Sequence, residues 1–98
     1  KGDKGAASPE TSQAAQGAPA AAVDYYERAL AVRRQIEDVA GQARTLYNLG
    51  LLCADLNDLG RAEVALVEAV ALDEQYDLSQ LARDRKALTE IRRRQAQA

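Results

Sequence analysis

From about residue 20 onward the apolar residues recur in steps of three and four, the period of a helix with one buried face. Four segments follow from that spacing. The first, 19–36, opens on Pro19, a favourable first-turn residue, and puts Ala22, Tyr26, Ala29, Leu30, the stem of Arg33 and Ile36 on one side. Asp24 and Arg28 stand four apart in the order that supports a helix. The second, 39–56, carries an apolar stripe of Ala43, Leu46, Leu49, Gly50, Cys53 and Leu56. The third, 59–76, has Ala62, Ala65, Leu66, Ala69, Val70 and Leu72 on or near one face. The fourth, 78–95, sets Leu78, Leu81, Ala82, Leu88 and Ile91 against a side crowded with Arg83, Asp84, Lys86, Glu90 and Arg93. Asp38 and Asp58 are placed to cap the second and third segments, and Asp77 or Ser79 the fourth. Breaks this short make neighbouring helices antiparallel. The pattern predicts an all-α chain of helical hairpins.

Composition trims the folded part. Residues 1–19 are mostly Gly, Ala, Ser, Gln, Thr and Pro with no large apolar side chain, so their burial cannot offset the cost of ordering them. They are expected to be a disordered linker or an expression remnant, leaving 20–98 as one helical domain. That domain is rich in Ala, Leu, Arg, Glu and Gln and has no proline after Pro19, which favours helix throughout. The net charge of −2 argues against a nucleic-acid footprint. No apolar run approaches the roughly 20 residues of a membrane span, and the first residues lack the apolar core of a signal peptide. The chain opens on Lys1 without an initiator methionine and is expected to be a fragment. It has no histidine, which removes the commonest general base and the commonest metal ligand together. Its single cysteine, Cys53, can form no internal disulfide.

The chain also repeats itself. At a constant offset of 40, Ala22 matches Ala62, Tyr26 matches Leu66, Ala29 matches Ala69, Leu30 matches Val70 and Val32 matches Leu72. Within 43–73, the positions Leu46, Leu49-Gly50, Cys53, Leu56, Ala62, Leu66, Ala69 and Leu72-Asp73 fall at the large and small spacing of a tetratricopeptide repeat, and the segment resembles that family. Gly50, Ala62 and Ala69 are small where helices of such a hairpin cross closely, and Leu46, Leu49 and Leu66 fill the space between. Cys53 and Leu66 replace family aromatics, and Glu74 replaces the terminal proline, so the third helix can run on by about a turn. The period resembles the long-helix variant of the repeat, found in multi-repeat bacterial and kinesin-light-chain-like proteins. The resemblance implies an α-solenoid fragment with one complete hairpin. The first helix then stands for the second helix of a preceding repeat. The fourth is a degenerate first helix, with Lys86 and Glu90 at the offset of 40 from Leu46 and Gly50, and is expected to cap the stack with a polar outer face.

The resemblance also implies a ligand surface on the concave face, which transfers here to Arg44, Tyr47, Asn48, Leu51 and Asp55. Asn48 can donate and accept at once, which suits a peptide backbone or terminal carboxylate; it also reads as a polar residue packed on the first helix. Among the tyrosines, Tyr47 is expected in contact with a partner and Tyr26 in the core. Arg92-Arg93-Arg94 reads as a helix end complementing the macrodipole, Asp73-Glu74 with Asp77 as a solvated helix end, and Cys53 as a small buried hydrophobe.

These features point to a non-catalytic protein–protein interaction module that binds a peptide or helix. No catalytic residue, cofactor or metal is expected, nor a nucleic-acid or membrane partner. The expected compartment is cytoplasmic. The alternative is a structural module forming a homodimer through its N-terminal half-repeat, whose apolar flank lacks a covering helix. An enzyme would need polar groups converging from different helices. A plain four-helix bundle would wrap all four helices around one core.

Overall fold

The computed structural model describes residues 18–98. Four helices follow one another: α1 (Ala18–Gln35), α2 (Val39–Asp55), α3 (Leu59–Tyr76) and α4 (Leu81–Gln97). The expected linker over 1–19 lies outside the described residues except for Ala18 and Pro19, which already belong to α1.

Three helix ends share one device. Glu37, Asn57 and Asp77 adopt left-handed backbone, with φ of 58°, 62° and 55°. The amide after each reaches back five residues: Asp38 N–H donates to the Arg33 carbonyl, Asp58 to Cys53 and Leu78 to Asp73, at 2.8–2.9 Å. This is the Schellman closure, and it turns the chain back on itself in very few residues. The next helix then starts at once where an aspartate follows. Asp38 accepts from Gly41 N–H at 2.9 Å and Asp58 from Arg61 N–H at 3.2 Å. Gly41 is tailored to this cap, since a Cβ there would lie 2.1 Å from the Asp38 carboxylate.

The third turn differs from the expectation. Leu78 stands where the first two turns have their capping aspartate, and it cannot cap. Helix α4 therefore begins at Leu81, not at 78, behind Gln80, whose side chain makes no capping bond. Neither Asp77 nor Ser79 is the cap; Asp77 is the left-handed residue closing α3. The longer turn shifts the register of α4. Leu88 and Ile91, at 8% and 3% exposure, now stand where Leu46 and Leu49 stand in α2, and Arg92 falls at the place of Gly50. The expected pairing of Lys86 and Glu90 with Leu46 and Gly50 is corrected by those two residues.

The core lies along the α2–α3 crossing. Leu46, Leu49, Cys53, Ala62, Leu66 and Ala69 are all buried, with Ala62, Leu66 and Ala69 at 0% exposure. Helix α2 packs on α1 and α3, and α4 packs on α3 and touches α2. Helices α1 and α3 meet only through side chains, in the ion pairs Arg34–Glu68 and Arg61–Glu27 at 2.6 Å. Each helix thus stacks on its neighbours, which is solenoid geometry and not a single-core bundle.

Several expected core positions prove exposed. Ile36 is 66% exposed and Leu56 44%. Both sit at the residue before a left-handed turn, where the chain is already leaving the helix face. In α1 the burial falls on Val23 and Leu30, which face α2 and α3, while Ala22, Tyr26, Ala29 and Arg33 are half-buried. Their counterparts in α3, Ala62, Leu66, Ala69 and Asp73, are fully buried, whereas Tyr26 packs only on the edge of the core and Arg33 turns to Asp38.

The crossing sets a clear test. A Cβ on Gly50 would lie 2.8 Å from Leu66 Cγ and 3.4 Å from the Ala62 carbonyl oxygen. Overpacking there costs about 1–3 kcal/mol, against a helix-propensity gain of at most about 1 kcal/mol. Gly50→Ala is expected to lower the stability read from urea unfolding by about 1–2 kcal/mol. Gly60→Ala, with nothing within 4 Å of the new methyl, is expected to be neutral or slightly stabilising.

Candidate interaction site

Arg44, Tyr47, Asn48, Leu51 and Asp55 lie along one stripe of α2, on the side turned from the Leu46–Leu49–Cys53 core. Arg44, Leu51 and Asp55 are exposed, and Tyr47 and Asn48 are half-buried. One end of the stripe meets the groove that α2 forms with α4. Arg44 and Tyr47 border that groove; Asn48, Leu51 and Asp55 continue along α2 beyond its clefts.

Two clefts make up the groove. One of ≈ 630 Å³ is lined by Tyr47, Arg83, Lys86, Ala87, Thr89 and Glu90. The other, of ≈ 220 Å³, lies where Arg44 and Ala43 of α2 face Asp73, Leu78 and Arg83. Arg83 divides them. Its guanidinium carbon sits 3.7 Å above the centre of the Tyr47 ring, and its Nε donates to Asp84 Oδ1 at 2.9 Å. Stacking a guanidinium on a phenol face is an electrostatic attraction that leaves its other N–H groups able to donate outward. Arg44, Arg83 and Lys86 give the groove wall three cations, with Glu90 opposite in sign among them.

Beneath Arg83 lies a feature that helix periodicity had placed at the surface. Asp73 and Asp84 are both 0% exposed, and the two carboxyl groups are neighbours. Neither oxygen of Asp73 has a hydrogen-bond partner among the described residues, and only Oδ1 of Asp84 has one, in Arg83. Burial, together with the neighbouring Asp84 carboxyl, pushes the Asp73 carboxyl up to about 7, while the Arg83 guanidinium opposes the shift. The reading of Asp73 as a solvated helix end and of Asp84 as part of a polar outer side is therefore corrected. The signal was present: Asp84 stands four and seven residues before Leu88 and Ile91, on their stripe.

The remaining candidates are spoken for. Arg92 pairs with Glu63 at 2.9 Å, Arg93 pairs with Glu90, and Arg94 donates to the Ala54 carbonyl near the end of α2 at 3.4 Å. Arg92 and Arg93 hold Glu63 and Glu90 below the ordinary carboxylate range. Among the described residues no group of three or more His, Cys, Asp or Glu could hold a metal ion. No described helix is long and apolar enough to cross a membrane.

The tetratricopeptide repeat model matches residues 11–75, a span that takes in α1, α2 and all but the last residue of α3 and leaves out α4. No curated protein and no solved structure matches the chain.

Cys53 is 2% exposed, and burial raises its thiol above the ordinary value. It is expected to react with a thiol reagent only as fast as the protein opens. Native protein should therefore label at least about 100-fold more slowly than urea-unfolded protein, and equal rates would contradict the packing.

Proposed function

The chain belongs to the tetratricopeptide repeat family, a non-catalytic interaction repeat whose members bind other proteins, and from that premise we propose that this protein is a binding module that holds a peptide or helix in the α2–α4 groove. The observation that carries this reading is the open groove wall of Arg44, Tyr47, Arg83 and Lys86, with Asn48, Leu51 and Asp55 extending it along α2. A partly exposed stripe of cation, aromatic, amide and aliphatic groups on a rigid helix supplies anchors with little backbone ordering cost. No catalysis is proposed, in keeping with a non-catalytic interaction repeat. The helices of 17–18 residues support the long-helix form of the repeat.

A second reading is favoured by one observation. Tyr25, Val32 and Ile36 on α1 are 66%, 54% and 66% exposed and flank a shallow apolar surface with Ala29. A second copy covering it would give a symmetric dimer.

Peptides selected by display against the protein are expected to lose at least about tenfold in affinity, roughly 1.4 kcal/mol, on Arg44→Glu or on Asn48→Ala with Leu51→Ala. The thermal midpoint should move little, because these side chains are not in the core. Unchanged affinity in both variants would remove the groove from consideration. Sedimentation velocity across a hundredfold range of concentration tests the second reading: a dimer that Val32→Glu abolishes supports it, and a strict monomer ends it.

A further inference from the structure

The Asp73–Asp84 pair is buried at the α3–α4 junction, with Asp73 lining the smaller cleft of the groove. Buried carboxyls are normally hydrogen-bonded or paired with a cation. Here two of them are neighbours, with one guanidinium to share. Arg83, on α4 itself, supplies a single positive charge, through Asp84. From α2, Arg44 is exposed at the mouth of the cleft that Asp73 lines. On α3, Glu74 turns outward and pairs with Arg85 of α4 at the surface. No residue of α1 lines that cleft.

The charges balance in only one protonation state. Two carboxylates and one guanidinium leave one uncompensated negative charge in a buried position. One proton shared between the carboxyls brings the sum to zero. It also supplies the hydrogen bond that the Asp73 oxygens otherwise lack. We propose that the docking of α4 on α3 is proton-linked: the Asp73–Asp84 pair keeps one shared proton in the docked state and gives it up as the solution turns alkaline, so that α4 loosens from α3.

The sign follows from linkage. The Asp73 carboxyl is raised from 3.8 to about 7 in the folded chain. Between those values the folded state binds more protons than the unfolded state. The pair's contribution is therefore complete below about 4 and is lost as pH rises through about 7. The window is unusually free of other titrations. The sequence has no histidine, its one cysteine is raised, and the shifted surface carboxyls Asp38, Glu63 and Glu90 are all lowered. The α-amino group, at roughly 7.7–8, is common to every variant and cancels in comparison.

Urea unfolding of the whole chain from pH 5 to 8.5 reads the linkage. The unfolding constant is expected to rise by up to about tenfold per pH unit between 5 and 7 and then to level off. Asp73→Asn keeps the shape and removes the charge. It is expected to flatten that rise and to be more stable than the parent at pH 8 than at pH 5. Asp84→Asn is the second variant, flattening the same rise while freeing Arg83. Amide hydrogen exchange, corrected for its intrinsic pH dependence, locates the effect. Protection should fall first in α4, around Leu88 and Ile91, while α2 stays protected. A pH-independent unfolding constant in the parent chain, which needs no variant to fold, would overturn the proposal. So would a slope that survives in both variants, or protection lost equally from all four helices.

Discussion

The fold depends on how closely α2 and α3 cross at Gly50. The missing side chain lets Leu66 seat directly on the α2 backbone, and the Ala62 carbonyl comes within van der Waals reach of the same point. Everything else in the core is arranged around that approach. Leu46, Leu49 and Cys53 fill the wedge on one side, and Ala65 and Ala69 keep α3 narrow on the other. The same crossing cannot recur on α4, because Arg92 occupies the corresponding position and reaches out to Glu63. A large residue thus stands on α4 where α2 has a small one, and α4 presents an exposed polar face of Arg85, Lys86, Arg93 and Glu90.

Turn chemistry decides how far the repeat keeps its phase. A left-handed residue at 37, 57 and 77 closes each helix in the same way. Asparagine and aspartate tolerate that conformation at small cost. The next residue then sets the start of the following helix. Aspartate at 38 and 58 accepts from an amide of the first turn, and the helix begins immediately. Leucine at 78 cannot do so, and the chain spends two more residues before α4. That delay, more than any change in apolar content, puts Leu88 and Ile91 into the core and brings Asp84 inward with them.

Much of this was legible in the sequence. The apolar period located four helices, the aspartates located two of the turns, and the small residues located the crossing. What escaped was the consequence of a missing cap. With α4 started at 78, the offset of 40 set Lys86 and Glu90 opposite Leu46 and Gly50 and left Asp84 among solvent-facing charges. Exposure at Ile36 and Leu56 escaped for a related reason: periodicity continues to the last apolar residue, whereas a helix face ends where the backbone turns left-handed. The groove stripe on α2 was legible as one face of a helix. Its other wall was not, because Arg83 reaches Tyr47 only in the register that the longer turn imposes.

Arg83 joins these features physically. It stands on the first turn of α4, so its position depends on where that helix begins. Its Nε holds the one buried carboxylate oxygen that has a partner, and its plane covers the ring that lines the groove. A guanidinium can do both because its donors lie in its plane while its faces remain free to stack. The buried acid pair and the groove wall therefore share a single side chain. Whatever moves α4 relative to α3 moves Arg83, and uncovering Tyr47 changes the shape and charge of the α2–α4 groove.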